Sequence, residues 1–151
     1  MKNLAYYLAR TSHGSTLSRV VHAQLANMTG DQGLSWELYL DALTSDYNDI
    51  QGGTTAEGIH AGVMAGTVWV ALVSFAGLNL HGEYPCFDPN LPGKWRKISF
   101  GFGFKGDEYE CEVTPHFVRI RIDREIAGNA KVGIRDKIFE IETGEWIEFE
   151  L

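Results

Sequence analysis

The spacing of apolar residues changes once along this chain, near residue 80. Up to about residue 78 apolar side chains recur at helical spacing, whereas from Tyr84 onward they alternate with polar or small residues. The first spacing is typical of amphipathic helices, and the second is typical of strands with one face in water. The sequence therefore predicts several helices followed by a small antiparallel β part, an α+β architecture.

Two amphipathic helices are predicted first. Apolar residues between Leu17 and Met28 recur at helical spacing, with Ser15 as the expected N-cap and Gly30 as the stop. The second helix is predicted from about Leu34 to Asp46. Each helix presents an apolar stripe, so each needs a neighbouring surface to pack against.

A third and much more apolar helix is predicted from about Glu57 to Phe75. Thr54 and Glu57 form a capping box, because the side chain of each can bond to the backbone amide of the other. The helix is apolar all round, which favours burial on every side. Two neighbouring helices cannot cover it, so further helices are expected from another chain or from an upstream part.

The same apolar run leaves a membrane alternative open. Between Ile59 and Leu80 the only ionisable side chain is that of His60, and Gly62 and Gly66 form a GxxxG pattern. The run is just long enough to span a bilayer. It also contains several Gly, Thr and Ser residues and lacks flanking Lys or Arg, which favours a buried helix over a membrane span.

The second part predicts strands joined by tight turns. Phe100, Phe102 and Phe104 alternate with glycines, which favours a place in the core over a platform for stacking sugars. A proline-containing linker, residues 79–95, precedes the strands, and the whole predicts a sandwich or part of one. Alternating runs cover residues 98–104, 109–113, 118–122 and 147–151, and turns are predicted at residues 105–107, 127–130 and 143–145.

Composition limits the classes of function. The 151 residues are 44% hydrophobic with a net charge of −7, so the chain can form a core and is a poor candidate for binding nucleic acid. It shows no signal-peptide pattern, which predicts a cytoplasmic protein. Cys86 and Cys111 are favoured as free thiols, with a disulfide left open. The histidines lack the spacing of zinc ligands, and we expect no metal or cofactor.

Two polar clusters precede apolar helices and carry the candidate chemistry. A helix N-terminus offers unpaired N–H groups and partial positive charge, while hydroxyls and imidazole add donors. Such clusters predict sites for an anion or a sugar hydroxyl. Simpler alternatives stay open: plain N-caps at Ser15 and Thr54, an exposed His13, and a structural His60. The clusters are Thr11-Ser12-His13-Gly14-Ser15-Thr16-Leu17-Ser18 and Gly52-Gly53-Thr54-Thr55-Ala56-Glu57-Gly58-Ile59-His60.

Other titratable residues near these clusters are interpreted as structural. Asp46 and Asp49 would share a helix face, but a solvated helix terminus is favoured over a working carboxylate pair. Glu57 already has a role in the capping box, and His22 lies near an apolar face, where packing is favoured.

Several runs, in the same order and spacing, resemble one enzyme family. Together they make roughly the first 120 residues similar to the C-terminal portion of glycoside hydrolase family 65, which holds maltose, trehalose and kojibiose phosphorylases and some hydrolases. The family usually has Trp after Met-Ala-Gly-Thr, whereas Val68 follows here and Trp69 comes one position later. The runs are Tyr6-Tyr7, Thr11 to Ser18, Asp46-Tyr47-Asn48-Asp49, Gly58-Ile59-His60, Met64-Ala65-Gly66-Thr67 and Phe87-Asp88-Pro89-Asn90-Leu91-Pro92.

The resemblance implies a fold and a reaction. The family fold is an (α/α)6 barrel with β domains on both sides. Residues 1–80 are therefore expected to be the last barrel helices, and residues 81–151 the C-terminal antiparallel β domain. The family cleaves an α-linked glucose disaccharide with inversion, with a glutamate as general acid and either phosphate or water as nucleophile. Inorganic phosphate is the expected co-substrate if the protein is a phosphorylase.

The resemblance also places residues on the nucleophile side. The family's general acid lies upstream of the first matching run, so we expect no catalytic residue in this chain and no activity of the chain alone. A separate chain with the upstream barrel, or self-association, would complete the site. The alternatives are a non-catalytic carbohydrate- or anion-binding module and a membrane-associated protein. Phosphate or substrate binding is assigned to Ser12, His13, Gly14, Ser15, Thr54, Thr55, Gly58 and His60.

Overall fold

The computed structural model of this chain describes residues 2–11, 16–48, 58–124 and 128–151. The chain divides into two compact units, Met1–Ser74 and Phe75–Leu151. The first unit is helical, and every described strand lies in the second. The predicted order of helices followed by a mainly antiparallel β part is therefore confirmed.

Five α-helices are described in the first unit. The predicted second helix ends at Leu43 and not at Asp46, because the Thr44 hydroxyl and amide both bond to the Leu40 carbonyl and close the last turn. A separate short helix follows. The helices are α1 (Lys2–Leu8), α2 (Leu17–Met28), α3 (Gln32–Leu43), α4 (Ser45–Asn48) and α5 (Ala61–Trp69), and α5 continues into a π-helical segment, Val70–Phe75.

Small residues bring α2 and α3 close together. Ala23 and Ala26 on α2 are fully buried, as is Ser35 on α3, whose hydroxyl donates to the Ala23 carbonyl at 2.8 Å. Gly30 ends α2 with φ of +82°, a left-handed conformation that suits glycine, and the Asp31 amide bonds back to the Ala26 carbonyl at 2.9 Å. The predicted stop at Gly30 is confirmed.

Several of the larger apolar residues of the helical unit are exposed. On α2 the exposed fractions are 52% for Val21 and 73% for Met28, and on α5 they are 59% for Val68 and 52% for Trp69. The prediction that two neighbouring helices cannot cover the third helix is confirmed. α2 and α3 pack against α5 on the side that carries Val63 and Thr67, and the side that carries Val68 and Trp69 stays exposed.

The second unit contains eight described strands in two sheets. One sheet has the order β1-β2-β6-β7 and the other has the order β3-β4-β5-β8; the pairing is antiparallel except between β2 and β6. The strands are β1 (Leu78–Asn79), β2 (Cys86–Phe87), β3 (Ile98–Phe104), β4 (Asp107–Val113), β5 (Phe117–Asp123), β6 (Asn129–Ile134), β7 (Lys137–Glu142) and β8 (Ile147–Glu150).

The two sheets enclose one hydrophobic core. Phe87 and Val132 of one sheet and Ile120 of the other are fully buried in the same cluster. Phe102 packs against this cluster and stacks on Tyr109 with ring centroids 4.9 Å apart, as the predicted core position requires. Lys105 and Gly106 join β3 to β4 with positive φ at both positions, the geometry of a type I′ hairpin turn.

Both cysteines, Cys86 and Cys111, are free thiols, as the sequence predicts. Burial raises the pKa of the Cys111 thiol to about 12. The predicted linker, residues 79–95, is partly built into a sheet, because Cys86 and Phe87 form β2 beside β6.

In the described part of the chain no helix combines the length and apolar content that crossing a bilayer requires.

Candidate functional site

The N-termini of α2 and α5 lie next to each other. Leu17, the first residue of α2, has its Cδ2 atom 3.6 Å from the point where a Cβ on Gly62 would stand. One turn further along, Val20 on α2 lies against Gly66 on α5. The contacts advance in the same direction along both helices, so α2 and α5 run parallel and begin at the same end.

This arrangement concentrates positive potential at one place. The first turn of a helix has backbone N–H groups without helical partners, and the helix dipole gives that end partial positive charge. Two parallel helices that begin side by side add their effects there. The two clusters that the sequence singled out lead into these two helix starts, so the end of the helix pair is the candidate anion site.

His60 is the described side chain that stands at this end with the chemistry of an anion ligand. It precedes α5, and its carbonyl oxygen accepts from the amides of Val63 at 2.9 Å and Met64 at 3.1 Å. Its imidazole is about one-third exposed, since 32% of the side-chain surface remains accessible. The ring is thus attached to the first turn of the helix and remains open to a ligand.

Asp46 holds His60 at two points. One carboxylate oxygen accepts from the His60 backbone N–H at 2.8 Å, and the other lies 2.6 Å from Nδ1 of the ring. These bonds keep the pKa of Asp46 below its ordinary value, with the hydrogen bond to the His60 side chain as the largest cause. The interpretation of Asp46 as a solvated helix terminus is therefore wrong: 16% of its side chain is exposed, and both its oxygens are engaged.

Gly58 lies two residues before His60 and has φ of +102°, a conformation that glycine adopts without strain. A Cβ at this position would meet no atom within 4 Å. Gly58 and His60 therefore lie together at the start of α5. The remaining predicted site residues, and the predicted capping residue Glu57, lie outside the described residues; these site residues are Ser12, His13, Gly14, Ser15, Thr54 and Thr55.

His22 has a structural role, as the sequence predicted. It is buried on α2, and its Nδ1 lies 2.6 Å from the Ser18 carbonyl oxygen, to which it donates. Within residues 2–11, 16–48, 58–124 and 128–151, no three His, Cys, Asp or Glu side chains are grouped so that they could hold a metal ion.

Two sequence models of one enzyme family match this chain. The glycosyl hydrolase family 65 central catalytic domain matches residues 1–69, and the C-terminal domain of the same family matches residues 78–141. The first match contains the Asp46–His60 pair, and the second covers most of the β unit.

Several relatives of this chain are phosphorylases by name. The trehalose 6-phosphate phosphorylase of Lactococcus lactis subsp. lactis (strain IL1403) is 47% identical over 111 residues, which are 74% of this chain and 14% of that protein. The kojibiose phosphorylase of Caldanaerobacter subterraneus subsp. tengcongensis is 33% identical over 136 residues, which are 89% of this chain and 17% of that protein. The chain therefore spans less than a fifth of the length of either relative.

A solved structure shares the fold. It is described as "Putative kojibiose phosphorylase from human microbiome" and superimposes with a TM-score of 0.79 at 23% sequence identity. The match covers 98% of this chain and 21% of that structure.

Proposed function

The chain belongs to glycosyl hydrolase family 65, and from that membership we propose that its helical unit forms the phosphate side of an α-glucosidic disaccharide phosphorylase site. Phosphate is the co-substrate in this proposal, and the second substrate is a disaccharide of α-linked glucose. The named relatives, which act on trehalose 6-phosphate and kojibiose by their descriptions, support this substrate class.

The observation that carries the proposal is the common start of α2 and α5, with His60 at the beginning of α5. Phosphate oxygens are stabilised by backbone N–H groups and dipoles at helix N-termini and by an imidazole donor. In phosphorolysis one phosphate oxygen forms a bond to the anomeric carbon as the glycosidic oxygen leaves and takes a proton from a general acid. Holding the phosphate at this end would supply the nucleophile for that step.

We propose residues 1–80 as the last helices of an (α/α)6 barrel and residues 81–151 as the C-terminal β domain. The exposed apolar side chains on α2 and α5 support this assignment, because barrel helices pack against neighbours on both sides. The general acid of such a barrel would come from its upstream part. We therefore expect no phosphorolysis by the 151 residues alone, because anion binding cannot replace a proton donor.

Calorimetric titration of inorganic phosphate into the 151-residue chain tests the anion site directly. We expect a dissociation constant in the millimolar range or tighter, and binding at least about tenfold weaker in His60→Ala, the scale of one lost charge-assisted hydrogen bond. His116→Ala is the matched control, since His116 is an exposed histidine in the β unit. If the wild-type chain binds no phosphate, the result contradicts an anion site that is preformed within these 151 residues.

A further inference from the structure

We infer that Asp46 is a positioning residue for His60, which fixes the ring proton on Nδ1 and leaves Nε2 as the ring atom presented to a ligand. The inference rests on the proposed function, in which His60 contacts the phosphate. The sequence predicts that Asp46 is solvated, whereas here it positions His60. Nε2 is the atom of His60 that would contact the phosphate.

Asp46 contacts His60 twice, across a gap of 14 residues in the sequence. Asp46 lies in α4 and His60 precedes α5, yet the two carboxylate oxygens reach the backbone N–H and the ring of the same residue. One bond fixes the position of the backbone and the other fixes the rotation of the ring. Because the His60 carbonyl also accepts from the first turn of α5, the residue is held at three points.

The contact between Asp46 and the ring also determines which ring nitrogen carries the proton. An ionised carboxylate has acceptors and no donor, so a 2.6 Å contact with Nδ1 requires the proton on that nitrogen. Nε2 is then the remaining ring atom, on a side chain that is one-third accessible. A ring that carries both protons donates from Nδ1 to Asp46 and can donate from Nε2 to a phosphate oxygen.

The substitution Asp46→Asn separates positioning from packing, because the side chain keeps its shape and loses one acceptor. An amide has one oxygen and one NH2 group. If the oxygen accepts from the His60 backbone N–H, the NH2 group faces Nδ1 and favours a ring whose proton has moved to Nε2. A ring that is protonated on both nitrogens then has no acceptor for its Nδ1–H at position 46.

Nitrogen-15 NMR of the imidazole, recorded without phosphate, decides the inference independently of the proposed function. In the wild-type chain near neutral pH we expect the chemical shift of a protonated Nδ1, and in Asp46→Asn we expect the proton to move towards Nε2. Asp46→Glu, which keeps a carboxylate, should retain the proton on Nδ1. A wild-type ring with an unprotonated Nδ1, or one unchanged by Asp46→Asn, would overturn the inference.

Phosphate titration then tests the consequence for the ligand. We expect Asp46→Asn to weaken phosphate binding by about tenfold, by analogy with the loss measured when an outer-shell partner of a metal-ligating histidine is removed. Asp41→Asn is the matched control, because Asp41 pairs with Arg19 on the same helical unit and does not touch His60.

If the wild type binds phosphate and Asp46→Asn binds it equally well, the positioning role is overturned. If the wild type binds none, the phosphate proposal fails while the NMR result still decides the role of Asp46. Should Asp46→Asn fail to fold, the wild-type and Asp46→Glu spectra carry the test.

Discussion

Gly66 on α5 faces Val20 on α2 so closely that a Cβ at position 66 would stand 2.7 Å from Val20 Cγ1. Val20 is 8% exposed, and its β-branched side chain has few rotamers into which it could move. The GxxxG pattern that raised the membrane alternative therefore has a packing role. Gly62 and Gly66 lie against the first turn of α2 and allow the two helices to start together.

Gly66→Ala should lower the free energy of unfolding although alanine is the better helix former. Overpacking against Val20 costs about 1–3 kcal/mol, and the helix propensity of alanine returns at most about 1 kcal/mol. Gly62→Ala is the matched control, since its Cβ would make an ordinary 3.6 Å contact with Leu17. Urea unfolding of both variants measures the difference.

A second substitution identifies the cause of the loss. If the clash with Val20 is responsible, Val20→Ala should cost less in the Gly66→Ala background than in the wild type, so the two changes should not add. Strict additivity would mean that the loss at position 66 comes from elsewhere.

Gly77 in the β unit is a stricter case. Its φ is +70°, and a Cβ would stand 2.1 Å from the backbone oxygen of Asp88, which belongs to the chain segment that bonds to Gly77. A backbone atom cannot rotate away, so Gly77→Ala should destabilise the protein by upwards of about 3 kcal/mol or prevent folding. Gly93→Ala, with no atom within 4 Å of its Cβ, should change little. Thermal unfolding followed by circular dichroism compares the two, and equal melting temperatures would contradict this account.

The β unit shows which features local sequence can predict. The alternating run 98–104 and the Lys105–Gly106 turn were predicted because side-chain alternation and turn chemistry are local properties. β1 and β2 have two residues each, too few to show a period, and they pair only because distant segments meet. The sequence consequently predicts a linker over residues 79–95, which include all of β2 and the last residue of β1.

The site shows the same limit. The sequence pointed to His60 because a histidine before an apolar helix is a local pattern, and it missed the role of Asp46 because a contact across 14 residues depends on how α4 meets the start of α5. The exposure of one side of α5 has a related cause. Hydrophobicity indicates which side chains favour burial, and the neighbouring elements that are present determine how far those side chains are buried.

The pair Asp107–Arg124 should make the β unit sensitive to acid. Arg124 Nε donates to Asp107 at 2.7 Å, a second guanidinium nitrogen bonds the other carboxylate oxygen, and the third donates to the Asn129 carbonyl at 3.0 Å. The hydrogen bond from Arg124 lowers the pKa of Asp107 in the folded protein. In the unfolded chain the pKa of an aspartate is about 3.9.

The sign of the effect follows from this difference. The stabilisation is fully present above the unfolded pKa and is lost as the pH falls through the lower, folded pKa. Asp107→Asn should therefore be less stable than the wild type at neutral pH, and its urea midpoint should fall less on acidification. The matched control is Asp123→Asn, an exposed aspartate paired with Arg121, which should keep the wild-type pH dependence. Parallel curves for the wild type and Asp107→Asn would show that this pair does not contribute to the acid sensitivity.

The exposed apolar side chains of the helical unit should make the 151-residue chain self-associate. Val21 and Met28 on α2 are more than half exposed, as are Val68 and Trp69 on α5, and exposed apolar surface favours association in water. Sedimentation velocity at increasing protein concentration should show species larger than a monomer.

The double variant Val21→Lys, Met28→Lys should shift the distribution towards monomer, because burying an unpaired ammonium group opposes association. Ile138→Lys is the control, since Ile138 is 60% exposed but lies on β7 in the other unit, and it should sediment as the wild type does. A compact wild-type monomer at all concentrations would contradict the prediction, and it would mean that these side chains need no partner surface in the chain by itself.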